Sequence, residues 1–407
     1  MAFRHRAARR VHFASEALVS YDGVLAMKIA KLEFIPINIP YTHREVSSQV
    51  NRDGVSDVIV KATTDNGLVG WGEACSGANI ESVEQALRAM APFVLGKSPW
   101  SSESIRADLW HKGVWMFRKP TASFAYAGID MALWDICGKA CHQPLYNLFG
   151  GRVRDGANYF YYLARGDEEN LMAQCRDGIA RGYRVFYLKV GLDIGAEYQM
   201  VRIVRKAIGP ENRLRLDANG AWTVNQALRN LDLLDEFHID FIEQPVSQDP
   251  LTNMQEVRAR SRVALSANEG MWSVEDAYQQ ITKRTADVYC FSPYWVGSLA
   301  QFQRLSRVAA MEGLQICKHT HGEFGIAAAA AHHILLTLPN VVDGNQQTAQ
   351  MMCDDILKQP LPIAAGPDWG IPEGAGLGID VDEDKVRRYH DSYRQNGQFP
   401  PYDPALV

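Results

Sequence analysis

Three acidic residues recur at an even spacing in the second half of the chain. Asp217, Glu243 and Glu269 each follow a short apolar run, and successive acids lie 26 residues apart. That interval accommodates one strand and one helix, so each acid is expected at the carboxyl end of a parallel strand. Carboxylates that converge repel one another, and Mg²⁺ relieves the repulsion while keeping positions open for waters and substrate oxygens. The spacing predicts a Mg²⁺ site; the alternative is that each acid pairs with a Lys or Arg on a neighbouring strand.

Two basic residues flank the acids in the sequence. Lys189 ends the apolar run before Asp217, and His319 ends a run on the far side of the same series. We expect their side chains to face a bound ligand from opposite sides, with one base on each side. A nearby divalent cation favours the neutral form of a lysine, which suits it to proton abstraction. His321 has the same strand parity as His319 and is a second candidate for the catalytic histidine.

Short apolar runs alternate with amphipathic helical segments after Gly150-Gly151. The eight strand candidates are 157–164, 185–191, 213–219, 240–245, 264–270, 287–293, 314–319 and 340–344. Parallel strands with helices outside predict an α/β fold, a (β/α)7-8 barrel of the triosephosphate isomerase type over residues 151–350. A doubly wound open sheet is the competing fold, but the eighth unit and the lack of a GxGxxG sequence after the first strand count against it.

The sequence before the barrel predicts a smaller α+β domain over residues 27–150. Period-two alternation begins at Met27, and Asp65-Asn66-Gly67 between two apolar runs is typical of a hairpin turn. Helical periodicity follows from about Ser82. We interpret the polar segment 41–54 as a mobile loop.

Composition limits the classes of partner. The chain has 407 residues, of which 47% are apolar, and a net charge of -5 without a basic tract beyond the first ten residues, so nucleic acid is not an expected partner. No apolar stretch approaches the roughly 20 residues that cross a bilayer. Seven scattered cysteines indicate reduced thiols, and the predicted tail over residues 1–26 lacks the apolar core of a secretory signal. We therefore expect a cytoplasmic protein with no membrane partner. Residues 351–407 follow the predicted barrel, and we expect them to pack on the α+β domain.

Several motifs together resemble the enolase superfamily, in its mandelate racemase and muconate lactonising branch. They are YLKVG with Lys189, LDANGAW around Asp217, FIEQP around Glu243, ANEG at Glu269 and the segment GIDMALWDICGKACHQPLYNLFGG before the barrel. The resemblance implies a capping domain that closes over the barrel, and Mg²⁺ held by Asp217, Glu243 and Glu269. It also implies a symmetric homo-oligomer and a small-molecule carboxylate substrate that loses the proton beside its carboxylate, the known chemistry of this superfamily.

Two positions depart from the usual pattern of this branch. Tyr187 stands where many members have the first lysine of a Lys-x-Lys pair. Ser292 ends the sixth strand, where racemases and dehydratases have an Asp that orients the histidine and lactonising members have a Lys. The histidine would then be held by another carboxylate, such as Asp343, or act alone.

Candidate substrate contacts come from both domains. Asn219 follows Asp217 closely, and its amide offers a donor and an acceptor beside the metal. The segments 41–54 and 75–79 follow the family pattern for substrate-contacting loops, with Arg44, Arg52 or His43 as possible contacts. The predicted substrate-binding residues are Asn219, Tyr187, Arg44 and Asp343.

The site predicts removal of a proton α to a carboxylate. The first hypothesis is dehydration of a sugar acid or another hydroxy acid, in which Lys189 or His319 is the base and the other protonates the departing hydroxyl. The alternative is a racemase, epimerase or cycloisomerase that uses the same site and returns a proton to carbon. A third hypothesis is a metal-binding protein without turnover, which the missing acid on the sixth strand makes conceivable.

Overall fold

Three antiparallel strands begin the fold of the computed structural model, which describes residues 26–75, 79–113, 116–117 and 119–400. They are β1 (Ile29–Val46), β2 (Asn51–Thr64) and β3 (Val69–Cys75), in the order β1-β2-β3. Thr63 pairs with Val69, so the predicted hairpin turn at 65–67 is confirmed. The predicted tail over residues 1–26 lies outside the described residues except for Ala26.

The segment 41–54 is part of the first hairpin, so the prediction of a mobile loop is wrong. Its strands continue to a short tip at 47–50, with Glu45 opposite Arg52. Nε of Arg52 donates to Glu45 Oε2 at 2.8 Å, and both side chains are buried. A polar segment can therefore extend a strand here, because its buried charges neutralise each other.

Helices of the capping domain pack against this sheet. They are α1 (Ile80–Val94) and α3 (Thr121–Ala140), while α2 (Ser102–Lys112) and α4 (Leu145–Leu148) pack against other helices. Most of α3 is buried, and a Cβ built at Gly72 of β3 would lie 1.9 Å from the carbonyl oxygen of Gly128, so only glycine permits this approach. On its other side, Asp130 of α3 accepts a hydrogen bond from Leu299 N at 2.8 Å, which joins the cap to the barrel.

The second domain is a curled parallel sheet with helices outside, which confirms the predicted barrel with a cap. Its strands run in the order β11-β10-β9-β8-β7-β6-β5. The strands of this half of the chain are β4 (Ala157–Asn158), β5 (Tyr161–Leu163), β6 (Val185–Lys189), β7 (Arg213–Asp217), β8 (Phe241–Glu243), β9 (Leu265–Ala267), β10 (Val288–Phe291) and β11 (Gln315–Lys318). The helices are α5 (Glu168–Ala180), α6 (Ile194–Ile208), α7 (Val224–Leu234), α8 (Thr252–Arg260), α9 (Val274–Thr282), α10 (Pro293–Val296), α11 (Leu299–Met311) and α12 (Gly325–Leu335). Short 3₁₀ turns lie at Pro99–Ser101, Asp235–Phe237 and Pro362–Ala364.

The predicted eighth strand at 340–344 is an irregular segment joined to its neighbours by single bridges. Val341 bridges to Ile316 of β11, and Asn345 bridges to Tyr159. Phe160 N donates to the carbonyl oxygen of Asn345 at 3.0 Å. The segment thus closes the barrel between its last and first strands, although its pairing is too short to form a regular strand.

The C-terminal part of the chain returns to both domains. β12 (Asp368–Trp369) pairs antiparallel with β4, and α13 (Glu383–Asn396) packs on β1. Nδ1 of His390 lies 2.7 Å from the carbonyl oxygen of Pro36, and Asn38 Nδ2 donates to the carbonyl oxygen of Gly397. Over the described residues, no helix has both the length and the apolar character that a bilayer span requires.

Candidate functional site

Strand register brings three predicted site residues to one level of the barrel, and a fourth follows the next strand. Lys189 is the register partner of Asp217, and Asp217 is the partner of Glu243. Glu269 follows β9 by two residues. Neighbouring strands lie about 4.8 Å apart, so these side chains leave adjacent strands at their carboxyl ends. The structure therefore brings together the residues that the even spacing predicted.

A hydrogen-bond network joins these side chains. Oδ2 of Asp217 accepts from Tyr187 OH and from Lys189 Nζ, both at 2.5 Å. Lys189 Nζ also donates to Asn219 Oδ1 at 3.1 Å, and Asn219 Nδ2 donates to Glu269 Oε1 at 2.8 Å. Asn219 has a φ of 46°, a left-handed conformation that Asn tolerates better than most residues. Tyr187 and Asn219 thus contact the predicted metal ligands and the predicted base.

The charges around Lys189 stabilise its ammonium form. Burial by itself lowers the pKa of Lys189, but the negative charges of Asp217, Glu45 and Glu243 outweigh that effect and the pKa is raised. Glu45 belongs to the hairpin of the cap, so both domains contribute to this balance. The lysine is therefore held as a cation between an aspartate and an amide oxygen.

The donor set fits a hard divalent cation. Glu243 and Glu269 are 1% and 8% exposed, and within the described ranges Glu243 Oε1 and Glu269 Oε2 have no hydrogen-bond partner. Burial and the charge of Asp217 raise the pKa of Glu243 well above its usual range and that of Glu269 to about 7. Buried carboxylates that repel one another and keep uncommitted oxygens match the ligand preference of Mg²⁺.

His319 lies in the turn after β11, at the same end of the barrel. Its main-chain N donates to the carbonyl oxygen of Phe291, and its ring centroid lies 4.4 Å from that of Trp295. Burial, with further contributions from His321 and Lys189, lowers the pKa of His319 well below 6.5. In the part of the chain that the structure describes, Nδ1 of His319 has no hydrogen-bond partner. Burial therefore favours the neutral imidazole, the form in which a histidine can act as a base.

His321 is held by residues of both domains. Its ring lies 5.4 Å from that of Phe124 of α3 and 4.7 Å from that of Tyr294, and Arg52 donates to its carbonyl oxygen. Burial and the charge of Arg52 lower the pKa of His321 to about 3. The following Gly322 has a φ of 108°, which allows the chain to turn away beneath the hairpin.

The residue that ends the eighth segment was missed by sequence reasoning. Gln346, rather than Asp343, reaches the predicted metal ligands, and its Nε2 donates to Glu243 Oε2 at 2.6 Å. Within the segment 41–54, which was predicted to contact substrate, two residues were not singled out: Ser48 Oγ donates to Ala218 O and Gln49 Nε2 donates to Asn219 O. A signal for Gln346 was present, because the polar sequence NQQT directly follows the apolar run at 340–344.

Comparison with known proteins places both domains in one family. Residues 41–150 match the family described as mandelate racemase / muconate lactonizing enzyme, N-terminal domain, and residues 170–385 match the enolase C-terminal domain-like family. The chain belongs to the mandelate racemase and muconate lactonising branch of the enolase superfamily. The predicted resemblance is confirmed.

This chain aligns with its relatives over almost their whole length. N-succinyl-L-Arg/Lys racemase of Bacillus cereus is 28% identical over 368 residues, which cover 89% of this chain and 97% of the relative. Muconate cycloisomerase 1 of Acinetobacter baylyi is 28% identical over 363 residues, which cover 88% and 98%. The crystal structure of an enolase from Streptomyces coelicolor has a TM-score of 0.83 at 30% identity and covers 91% and 99%. The relatives favour the alternative reading, isomerisation, over dehydration.

Asp343 lies away from Asp217, Glu243 and Glu269. The prediction that it binds substrate or holds the catalytic histidine is therefore wrong. Its side chain is 63% exposed and lies 3.9 Å from Arg213, the first residue of β7. Arg215 donates to its carbonyl oxygen at 2.6 Å. Because pairing of the eighth segment continues to Asn345, Asp343 stands too early in that segment to reach the carboxyl end.

Arg44 lies on the cap hairpin. It forms an ion pair with Asp53 across the cap hairpin, at 2.5 Å, and is half exposed. It lines a cleft with Arg165 and Arg181 beside the end of β5. Its contact with substrate stays a prediction.

The adjacent histidines His332 and His333 on α12 are buried packing residues. His332 lies 2.8 Å from Tyr159 OH and 2.7 Å from the carbonyl oxygen of Gly370. His333 accepts from Tyr146 N through Nδ1 and lies 3.1 Å from the carbonyl oxygen of Leu377. Burial lowers the pKa of His332 to about 3 and that of His333 to about 4.

We expect these two histidines to make the fold sensitive to acid. Below pH 6.5 these two histidines become protonated in the unfolded chain but stay neutral in the folded chain. The free energy of unfolding therefore falls as the pH drops toward 4. The loss is up to about 1.4 kcal/mol per pH unit for each histidine. Urea unfolding at pH 7 and pH 5 should show a smaller drop for the His332→Gln, His333→Gln double variant. The exposed His111→Gln control should keep the drop of the natural chain, and an equal drop in the double variant would contradict the prediction.

Proposed function

We propose that the chain is a Mg²⁺-dependent isomerase that removes and returns the proton α to the carboxylate of a small-molecule substrate. The proposal includes racemases, epimerases and cycloisomerases. The observation that carries it is the buried His319, whose Nδ1 has no carboxylate partner within the described residues. The racemase and cycloisomerase among the relatives support the same reading.

Racemisation or epimerisation needs one proton acceptor and one proton donor on the two sides of the reacting carbon. The neutral imidazole of His319 suits the acceptor, and the Lys189 ammonium beside Asp217 suits the donor. The two groups stand on strands that are not neighbours in the barrel order. Dehydration would use the same two groups, but with the proton donor placed beside the departing hydroxyl instead of the α-carbon.

The metal ligands and the cap complete the proposed site. Mg²⁺ held by Asp217, Glu243 and Glu269 would supply positive charge to a carboxylate whose α-proton is being removed. Asn219 holds Glu269 and Lys189 at fixed positions through the two ends of its amide. Ser48 and Gln49 of the cap hairpin seal the loop that follows Asp217, which limits the access of water.

Dehydration of a hydroxylated acid is the second candidate. It would use the same His319 after the seventh strand of the barrel order, where the family resemblance places a histidine in racemases and in sugar-acid dehydratases. The same site geometry serves both reactions until the proton has been removed, so the products decide between them.

Proton NMR in D₂O is the direct test. The full chain with Mg²⁺ is incubated with N-acylated amino acids, dipeptides, hydroxy acids and sugar acids. We expect deuterium at the α-carbon of a substrate whose skeleton stays intact. A 2-keto-3-deoxy product would replace isomerisation by dehydration. Absence of exchange across the panel, with Mg²⁺ bound, would favour a metal-binding protein without turnover.

A further inference from the structure

We propose that Gln346 is a positioning residue that joins the carboxylate of Glu243 to the turn that carries His319. The inference rests on the proposed function and assigns a task to a residue that is not itself a metal ligand or a base. Gln346 is 3% exposed, and its amide and main chain make four hydrogen bonds to these two parts of the site.

The donor end of the amide fixes Glu243. Nε2 of Gln346 donates to Glu243 Oε2 at 2.6 Å, while Glu243 Oε1 stays uncommitted. A hydrogen bond of this kind favours the ionised carboxylate, the form that binds a cation. The donor is neutral, so it orients the carboxylate without adding a positive charge that would oppose a cation, as a lysine would.

The acceptor end and the main chain of Gln346 fix the histidine turn. Oε1 accepts from Thr320 N at 3.1 Å, and the main-chain N of Gln346 donates to the carbonyl oxygen of Lys318 at 2.8 Å. The carbonyl oxygen of Gln346 accepts from Lys318 Nζ at 3.2 Å. His319 lies between these two neighbours, so both sides of its backbone are tied to one residue of the eighth segment.

The ion pair between Lys318 and Glu323 closes the same turn. Both side chains are almost fully buried, and Lys318 Nζ donates to Glu323 Oε1 as well as to Gln346. Catalytic groups need to be held within about 0.5 Å of their working geometry. The amide of Gln346 spans from Glu243 to Thr320 and so sets the separation between the metal site and His319. A side chain without the amide NH₂ or without the amide oxygen would no longer fix this separation.

Gln347 provides a matched control for this inference. It is 1% exposed, and its amide donates to the carbonyl oxygen of Phe160 and to Gln350 Oε1. It is the same residue type at the next position, with similar burial and hydrogen bonding. None of its hydrogen bonds within the described residues reaches Glu243 or the turn at 318–320.

The experiment compares Gln346→Met with Gln347→Met in the full chain. Mg²⁺ binding is measured by isothermal titration calorimetry without substrate, and histidine ring resonances are recorded after selective ¹⁵N labelling. We expect Gln346→Met to raise the Kd for Mg²⁺ by about 10- to 100-fold and to shift the His319 resonance, which is identified by its loss in His319→Asn. Gln347→Met should change stability but neither of these readouts. Gln346→Asn, which keeps an amide too short to span both partners, should weaken Mg²⁺ binding in the same direction if Gln346→Met fails to fold.

The outcomes separate this inference from the proposed function. Tight Mg²⁺ binding by the natural chain together with an unchanged Kd and His319 resonance in folded Gln346→Met or Gln346→Asn would overturn the positioning role alone. Equal losses in Gln346→Met and Gln347→Met would also overturn it, because the effect would then be one of general packing. No Mg²⁺ binding by the natural chain would overturn the proposed function and the inference with it.

Discussion

Lys189→Met is expected to reduce racemisation or epimerisation by about 10²- to 10⁴-fold, the usual contribution of a positioned acid or base, while Mg²⁺ stays bound. The variant removes the proton donor on one side of the reacting carbon and also removes a positive charge 2.5 Å from Asp217. The metal affinity should therefore not fall. Rates are measured by polarimetry or chiral chromatography, and Mg²⁺ binding by calorimetry.

The His319→Asn variant tests which side of the α-carbon each residue serves. If Lys189 and His319 serve opposite sides of the α-carbon, each variant should still exchange the α-proton of one enantiomer with D₂O, and the two variants should act on opposite enantiomers. Lys206→Met, which changes an exposed lysine on α6, is the matched control and should keep full activity. Exchange of both enantiomers by Lys189→Met at the natural rate would remove Lys189 from the mechanism.

Asp217→Asn and Glu243→Gln are expected to weaken Mg²⁺ binding by more than the roughly 10- to 100-fold that loss of an outer partner costs. Each substitution removes a charged oxygen from the proposed metal ligands. Calorimetric titration of the full chain gives the affinity directly. Asp343→Asn is the control, because Asp343 is exposed beside Arg213 and should leave the affinity unchanged.

Glu243→Gln should have opposite effects on binding and on stability. Burial and the nearby charge of Asp217 disfavour the ionised Glu243 in the folded chain, as its raised pKa indicates. Stability associated with this group therefore falls as the pH rises above the ordinary carboxyl range, and the full cost is present once Glu243 is ionised. In EDTA at neutral pH, Glu243→Gln should unfold at a higher temperature than the natural chain. A lower Tm together with unchanged Mg²⁺ affinity would contradict the proposed ligand role.

The sequence by itself predicted that Lys189, Asp217 and Glu243 lie at the carboxyl ends of successive strands. Its prediction depended on the length of one strand-helix unit, which repeats along the chain and therefore places successive strand ends at one level. The same kind of local regularity predicted the hairpin turn at 65–67. These features depend on neighbours in sequence, so the pattern of residue types is enough to predict them.

Tertiary contacts determined the features of the site that the sequence did not predict. Gln346 rather than Asp343 reaches Glu243 because the closing segment pairs as far as Asn345, a register fixed by strands distant in sequence. The polar residues at 41–54 form strands because Glu45 and Arg52 neutralise each other when buried. The neutral form of His319 is favoured because the fold buries it beside Trp295 and supplies no acidic partner for Nδ1 among the described residues. Register, burial and charge pairing across domains are properties of the assembled chain, and a single local pattern does not contain them.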